Sequence, residues 1–428
     1  MNEIISLHLG QAGTDIGTSI WDLFSKEHNI DNLGIIKTQP QDNFHLSFFS
    51  ETSSSRYLPR AIFLDSDVKL LDKIPTNSFY DKENFICGNL MTNQIDKMTD
   101  NYILDKGSEI IRKSVENCDK IDGFMLYYSL AGNSGLSISS KIIKMLEDEY
   151  SKNIRAAVTV YPENPEGLQA YSTMLCMSNL INDASFSLAF ENSQLKRISK
   201  SYLNVIEPKY RNLNQIIALY ISALTLPIRT QSQLNISLQE LSSSLIPYPT
   251  INLLFSSFYP FLPINHSLSI EYSILDIIEG SFAKQYFTID ADVYNNKYFS
   301  SSMYFRGDIS IRYISSILSS IKYKKIVEFI DWCPTGFKCG YFNVIPPIVE
   351  QWDMTHYIRE IFICSNTTAS CDLYTRYREC FDNAYANKQE FNKVTQVIEE
   401  EELLLNRENI TTMESDLAEC LKETVDQE

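Results

Sequence analysis

Residues 4–24 read IISLHLGQAGTDIGTSIWDLF: an apolar run from Ile4 to Leu9, then Gly10, Gly13 and Gly17, then an amphipathic segment that holds Trp21. Only 14 glycines occur in 428 residues, so three of them between positions 10 and 17 mark a demand on the backbone. A strand ending in Gly10 and a helix beginning near Gly13 would aim free backbone N–H groups and the positive end of a helix dipole at the loop, which suits phosphate. Glycines let the backbone come that close. The spacing, GxxGxxxG, is neither the dinucleotide GxGxxG nor the GxxxxGK[ST] P-loop. On this stretch alone, a tight turn and a phosphate loop both remain open.

Working outward, short apolar runs alternate with helical patterns as far as about residue 190: IISLHL, AIFLD, GFMLYYSL, AAVTVYP and SFSLAF are separated by segments such as LSISSKIIKMLEDEY. That alternation predicts parallel βα units with ligands at the carboxyl ends of the strands. A second loop, YYSLAGNSGLS at 127–137, again joins a strand to a helical pattern and offers a possible nest of amides for an anion. Two such loops in one α/β unit point to one phosphate chain.

The uncharged stretch NLNQIIALYISALTLPI, 212–228, is short for a membrane span and reads as a helix buried all round and ended by Pro227. Beyond it, strands such as IVEFIDWC and REIFICSN alternate with Pro-bearing loops, the texture of an α+β unit. From Asp372 the pattern turns helical and acidic.

With 44% hydrophobic residues the chain can bury a large core. A net charge of −17 and a pI near 4.8 argue against nucleic acid and anionic membranes as partners and favour proteins or a compact, locally held anion. Nine cysteines without a CxxC suggest free, mostly buried thiols rather than a zinc site or disulfide framework. The start lacks the basic and apolar regions of a signal peptide, so a cytosolic location is expected.

Taken together, the motifs HLGQAGTDIG (8–17), FFSETSSSRYLPRAIFLD (48–65), LNISLQELSSSLIPYPT (234–250), YFRGD (304–308), FIDWCPTGFK (329–338) and CSNTTA (364–369) resemble the tubulin family, and over Met1 to about Tyr385 the α type in particular. Glu240 stands where the α type carries an acid and the β type a lysine. The resemblance implies a Rossmann-like α/β GTPase domain of tubulin type at 1–191, a linking region with the buried helix at 192–229, an α+β intermediate domain with the catalytic loop and lateral contacts at 230–370, and C-terminal surface helices at 371–428.

The resemblance also implies a GTP site. Gln11 and Ala12 match its first phosphate loop; Gly88 and Asn89 match a loop near the phosphates; Ser129, Gly132, Asn133, Ser134 and Gly135 match its glycine-rich signature, here AGNSGLS with bulky Leu136. Asp65 and Asp67 suit a hydrated Mg²⁺, Asp67 replacing a longer Glu. Asn192 and Asn214 match the amides that read guanine, and Tyr210 the ring that stacks on it. The loop Glu163 to Ala170 is short and lacks the family's ribose-contacting acid, leaving Glu166 or Gln169 as substitutes.

Glu240 is expected to act in trans on GTP bound by a β partner, with Ser237 in place of the family's second acid, while the chain's own GTP stays unhydrolysed. Implied partners are β-tubulin, neighbouring tubulins in protofilaments, and microtubule-associated and motor proteins, in the cytoplasm and cytoskeleton. The lateral loop, about 260–273, has lost its usual aromatic and basic pattern, and no Glu-rich tail is expected. The alternative is a tubulin-like structural or capping protein with weak or no nucleotide cycling. A Rossmann-type oxidoreductase would share the alternation but needs GxGxxG.

Overall fold

The computed structural model describes residues 2–37, 42–67, 79–88, 97–131, 138–232, 234–264, 277, 280–293, 295–323, 327–330, 337–347, 349, 352–355, 358–388, 390–395 and 398–422. In chain order the first strands and helices are β1 (Glu3–Leu9), α1 (Gly10–Glu27), β2 (Phe49–Glu51), β3 (Tyr57–Pro59), β4 (Ala61–Asp65), β5 (Phe85–Cys87), α2 (Lys97–Glu116), β6 (Ile121–Ser129), α3 (Ser140–Glu149), β7 (Ile154–Tyr161), α4 (Leu168–Asp183), β8 (Phe186–Glu191), α5 (Asn192–Tyr202) and α6 (Tyr210–Arg229). There follow α7 (Leu238–Leu245), β9 (Leu253–Tyr259), β10 (Leu262–Pro263), β11 (Tyr298–Gly307), α8 (Ile311–Tyr323), β12 (Phe337–Phe342), β13 (Met354–Thr355), β14 (Arg359–Thr367), α9 (Ser370–Ala386), α10 (Phe391–Val394) and α11 (Glu400–Lys422).

Ten strands form one sheet in the order β12-β11-β14-β9-β8-β7-β6-β1-β4-β5. From β5 to β9 every pairing is parallel; β14 then joins β9 and β11 antiparallel. Parallel strands covered on both faces need apolar residues on both, which is why β1 is buried at every position. One face carries α1, α5 and α6 around Trp21, Leu195 and Tyr220; the other carries α3, α4, α9 and α11 around Ile142, Tyr171, Phe381 and Leu417. The chain leaves β1 toward β4 on one side and β6 on the other, so the strand order reverses there, and a ligand crevice belongs at that switch point.

The opening glycines serve two purposes. Helix α1 starts at Gly10 itself, three residues earlier than the sequence suggests, because Gly10 makes the turn in one residue at φ 68°. Gly13 and Gly17 face the sheet: a Cβ on Gly13 would sit 2.1 Å from the Tyr127 carbonyl oxygen, and one on Gly17 2.5 Å from His8 Nδ1. These two let helix and strand approach each other rather than a ligand. His8 is locked beneath them, stacked between Phe63 and Tyr127 at 4.7 Å each, donating from Nδ1 to the Gly13 carbonyl at 3.2 Å and accepting from Trp21 Nε1 at 3.1 Å. Burial pushes its pKa down to about 3, so the ring is neutral.

Helix α6 is buried from Leu213 onward and runs through Pro227 to Arg229, not ending at the proline as the sequence suggests. In the last turn, proline forfeits one backbone bond, while Arg229 fixes the helix end. Its Nε donates to Thr225 Oγ1 at 2.9 Å and an Nη to the Ser222 carbonyl at 2.8 Å, and its other Nη meets Glu27 Oε2 at 2.8 Å. Glu27 also accepts from Arg306 at 2.9 Å and Ser222 at 2.7 Å, so one buried carboxylate ties α1, α6 and β11 together.

Two further sequence expectations change. Of IVEFIDWC, Phe329 makes only an isolated bridge to Tyr298, and 331–336 lie outside the described residues, whereas REIFICSN lies within β14. Among the described cysteines, all free, only Cys176 and Cys364 are fully buried. No helix among the described residues is long and apolar enough to cross a membrane. Most of the lateral loop, 265–273, falls outside the described residues.

Candidate functional site

A cavity of about 550 Å³ opens at the carboxyl ends of β1, β6, β7 and β8. That size suits a small-molecule ligand. Gln11 and Ala12 reach it from the first turn of α1, Ser129 from the end of β6, Asn192 from the start of α5, and Tyr210 and Asn214 from the start of α6. Three helices thus present their N-terminal turns to one space, and their unpaired N–H groups and dipoles favour an anion there.

Local structure decides which polar groups are available. In PKYRNLN, Asn212 is spent on capping: its Oδ1 accepts from the Lys209 N–H at 2.8 Å and its amide donates to Asp353. Asn214, two residues on, is 9% exposed and lines the cavity. Tyr210 is 71% exposed and lines it too, an aromatic face held at the mouth. Ser129 braces the wall, donating to the Val160 carbonyl at 3.2 Å and accepting from the Ala131 N–H at 3.3 Å.

The sequence reading missed Asp15, Glu163 and Lys196. Lys196 lies one helical turn after Asn192 on the same face of α5, and its Nζ meets Glu163 Oε2 at 2.6 Å across the mouth. The i,i+4 spacing from Asn192 could have flagged it. Of the two substitutes for a ribose contact, Gln169 lines the cavity; Glu166 is not among its lining residues.

Asp65, Asp67 and Gly88 do not line this cavity but cluster beside it. Leu9 pairs with Leu64, so Asp65 ends β4 level with Gly10; it accepts from the Asp67 N–H through Oδ1 at 3.3 Å and from the Gly88 N–H through its carbonyl at 3.0 Å. No group of three or more metal-ligating side chains occurs among the described residues. Two carboxylates nevertheless fit Mg²⁺, which keeps much of its water. Asn89, Gly132, Asn133, Ser134 and Gly135 lie outside the described residues.

Glu240 sits at the other pole of the molecule. It lies in the first turn of α7, in a capping box: Ser237 Oγ accepts from the Glu240 N–H at 3.1 Å, and Glu240 Oε2 accepts from the Ser237 N–H at 3.2 Å. Asp122, at the start of β6, holds this helix by accepting from the Leu238 N–H at 2.5 Å. Burial pushes the Asp122 carboxyl up, and the Leu238 bond works against that. Asp122, Lys120, Lys152 and Glu240 line a second cavity of about 660 Å³ on this end.

Comparison with known proteins agrees with this geometry. Residues 3–200 match the tubulin/FtsZ family GTPase domain, and residues 249–379 the tubulin C-terminal domain. The chain is 30% identical to the nucleomorph tubulin alpha chain of Guillardia theta, covering 100% of this chain and 98% of that one. It is 30% identical to the tubulin alpha-1B chain of Physarum polycephalum, over 99% and 98% of the two chains, and 29% identical to the tubulin alpha-2 chain of Eleusine indica, over 98% and 97%. A nucleotide-type crevice at the switch point, a C-terminal unit continuing the same sheet, and full-length similarity to α chains together mean that this chain belongs to the tubulin family.

Proposed function

We propose that this chain is an α-type subunit that binds GTP with Mg²⁺ in the switch-point cavity, pairs with β-tubulin, and supplies Glu240 in trans for hydrolysis of GTP held by that neighbour. Membership of the family carries the broader role, a GTP-binding structural protein of the microtubule cytoskeleton. The convergence of Gln11, Asn192, Tyr210 and Asn214 on one cavity carries the nucleotide reading. Each Asn amide offers one acceptor and two donors to a base edge, the Tyr210 ring offers a stacking face, and Gln11 with the α1 N-terminus faces the phosphates. Asp65 and Asp67 would hold the metal partly through its waters. Bound GTP with Mg²⁺ supplies the phosphoanhydride and a cation that offsets its charge.

The position of Glu240 supports action on a neighbour. Asp122 pins α7 near the amino end of β6, whereas Ser129 faces the cavity at the carboxyl end. Seven residue steps of strand lead from one to the other, about 23 Å at ~3.3 Å per residue. Glu240 is therefore too far from its own cavity, and only head-to-tail stacking brings it to a nucleotide, where it can orient water. Stacking of this kind places the chain among neighbouring tubulins in a protofilament, with the acidic α9 and α11 layer on its outside for microtubule-associated and motor proteins. The second reading, a structural or capping subunit with little cycling, draws on the capping box: the Glu240 carboxylate already serves its own helix.

Polymers assembled with β-tubulin separate the two. Glu240→Gln keeps an acceptor for the Ser237 N–H but removes the base, so phosphate release should slow by about 10²-fold or more at unchanged polymer mass. Release at the unmutated rate would leave Glu240 as a helix cap alone.

A further inference from the structure

The cavity wall is clasped from outside by the C-terminal helical layer. Pro162 lines the cavity, and its carbonyl accepts from the Tyr377 hydroxyl of α9 at 2.8 Å. Glu191 directly precedes Asn192 and is buried; it meets Arg376 of α9 at 2.9 Å and the Tyr377 hydroxyl at 3.4 Å, and accepts from the Asp290 N–H at 2.7 Å. Leu168 directly precedes the lining residue Gln169, and its N–H donates to Glu390 Oε2 at 2.9 Å. Glu390 reaches that bond from a left-handed backbone, φ 49°, a conformation that costs a non-glycine residue energy and persists where surrounding contacts hold it. Gly167 is needed opposite it, at φ 52°, since a Cβ there would lie 2.8 Å from the carboxylate.

Three segments of the wall, around 162, 168 and 191, are thus each held by a side chain from 376–390, and each touches or adjoins a residue that faces the cavity. We infer that Tyr377, Arg376 and Glu390 are positioning residues for the nucleotide site, and that they couple its occupancy to the outer helical layer formed by α9 to α11. The coupling is reciprocal: whatever steadies the wall steadies the layer, and a partner that steadies the layer tightens the site. The inference rests on the nucleotide reading of the cavity.

The full-length chain as isolated provides the test, through release of a fluorescent GTP analogue and hydrogen exchange with and without GTP. Tyr377→Phe keeps the ring packed near Tyr161, 5.2 Å away, and removes only the hydroxyl. Glu390→Ala removes the bond to Leu168, and Glu390→Gln restores an acceptor. We expect Tyr377→Phe and Glu390→Ala each to speed release roughly 3- to 10-fold, the equivalent of one net hydrogen bond, and Glu390→Gln to return it toward the unmutated rate. GTP should slow exchange across 370–395 in the unmutated chain, and that GTP-dependent difference should vanish in Tyr377→Phe. GTP bound normally, with release unaltered in both variants or exchange at 370–395 indifferent to GTP, overturns the coupling alone. No binding of the analogue by any form, including the unmutated chain, overturns the nucleotide reading and the coupling with it.

Discussion

Gly17→Ala tests whether the opening glycines are there for packing. In an exposed helix, alanine for glycine is worth up to ~1 kcal/mol of stability. Here the new Cβ would lie 2.5 to 2.9 Å from three atoms of the His8 ring. That ring is held by stacking on both faces and by hydrogen bonds at both nitrogens, so it has no easy way to yield. Overpacking of a rigid core costs about 1–3 kcal/mol, and with the ring locked the upper part of that range applies, for a net loss of about 1–2 kcal/mol after the helix gain. Gly13→Ala should be worse, at least about 3 kcal/mol, because its Cβ meets the Tyr127 carbonyl oxygen and no side chain can move aside. Moving from 2.1 Å to ordinary contact at 3.4 Å means a helix retreat of about 1.3 Å. Gly107→Ala in α2 is the internal control: its Cβ would meet only Leu64 methyls at 3.5 and 3.6 Å, so it should stabilise by up to ~1 kcal/mol. Urea unfolding of the three variants decides the matter. A stabilising Gly17→Ala, or a Gly13→Ala no worse than it, would refute packing as the reason for those glycines.

Two other outcomes follow from the buried charges. Burial opposes charge on Glu27, but Arg229 and Arg306 outweigh it and hold its pKa down to about 2; Glu27→Gln should therefore cost about 3–5 kcal/mol in urea unfolding by leaving two buried guanidinium groups without their carboxylate. Burial lowers His8 and His28 to about 3 from an ordinary value of 6.5, so they take up protons only on unfolding; the stability they contribute is complete above pH 6.5 and is lost as pH falls toward 3, by up to about 1.4 kcal/mol per pH unit for each. Glu27 adds loss in the same direction between pH 4.5 and 2. Unfolding midpoints measured from pH 7 to 5 should decline throughout the lower part of that range, and a flat profile would contradict neutral histidines at these two positions.

Legibility in the sequence followed how local the cause was. Parallel strands buried on both faces write continuous apolar runs, so β1, β4, β6, β7 and β8 could be read directly. The residues that line the cavity from helix starts, Gln11, Asn192, Tyr210 and Asn214, were reached by motif, and the fold brings them together. What escaped was set by distant partners. Nothing local says that α6 continues past Pro227, because the reason is Arg229 meeting Glu27 across 202 positions of chain. Nor does a composition reading place Lys196 against Glu163, or Tyr377 on the Pro162 carbonyl. The glycines misled for a related cause: GxxGxxxG suggests phosphate approach, while two of its three positions answer to Tyr127 and His8 on the sheet beneath.

The nucleotide content of the chain purified with β-tubulin tests the central claim most directly. After denaturation and chromatography, the account predicts guanine nucleotide beyond that carried by β-tubulin, about one more per pair, recovered as GTP. It also predicts that Asn214→Ala, which deletes a base contact worth roughly 1–3 kcal/mol if its partner is left buried, sharply lowers that extra nucleotide without preventing pairing. Nucleotide at the β-tubulin level alone, or an extra GTP indifferent to Asn214, would contradict the assignment of the switch-point cavity.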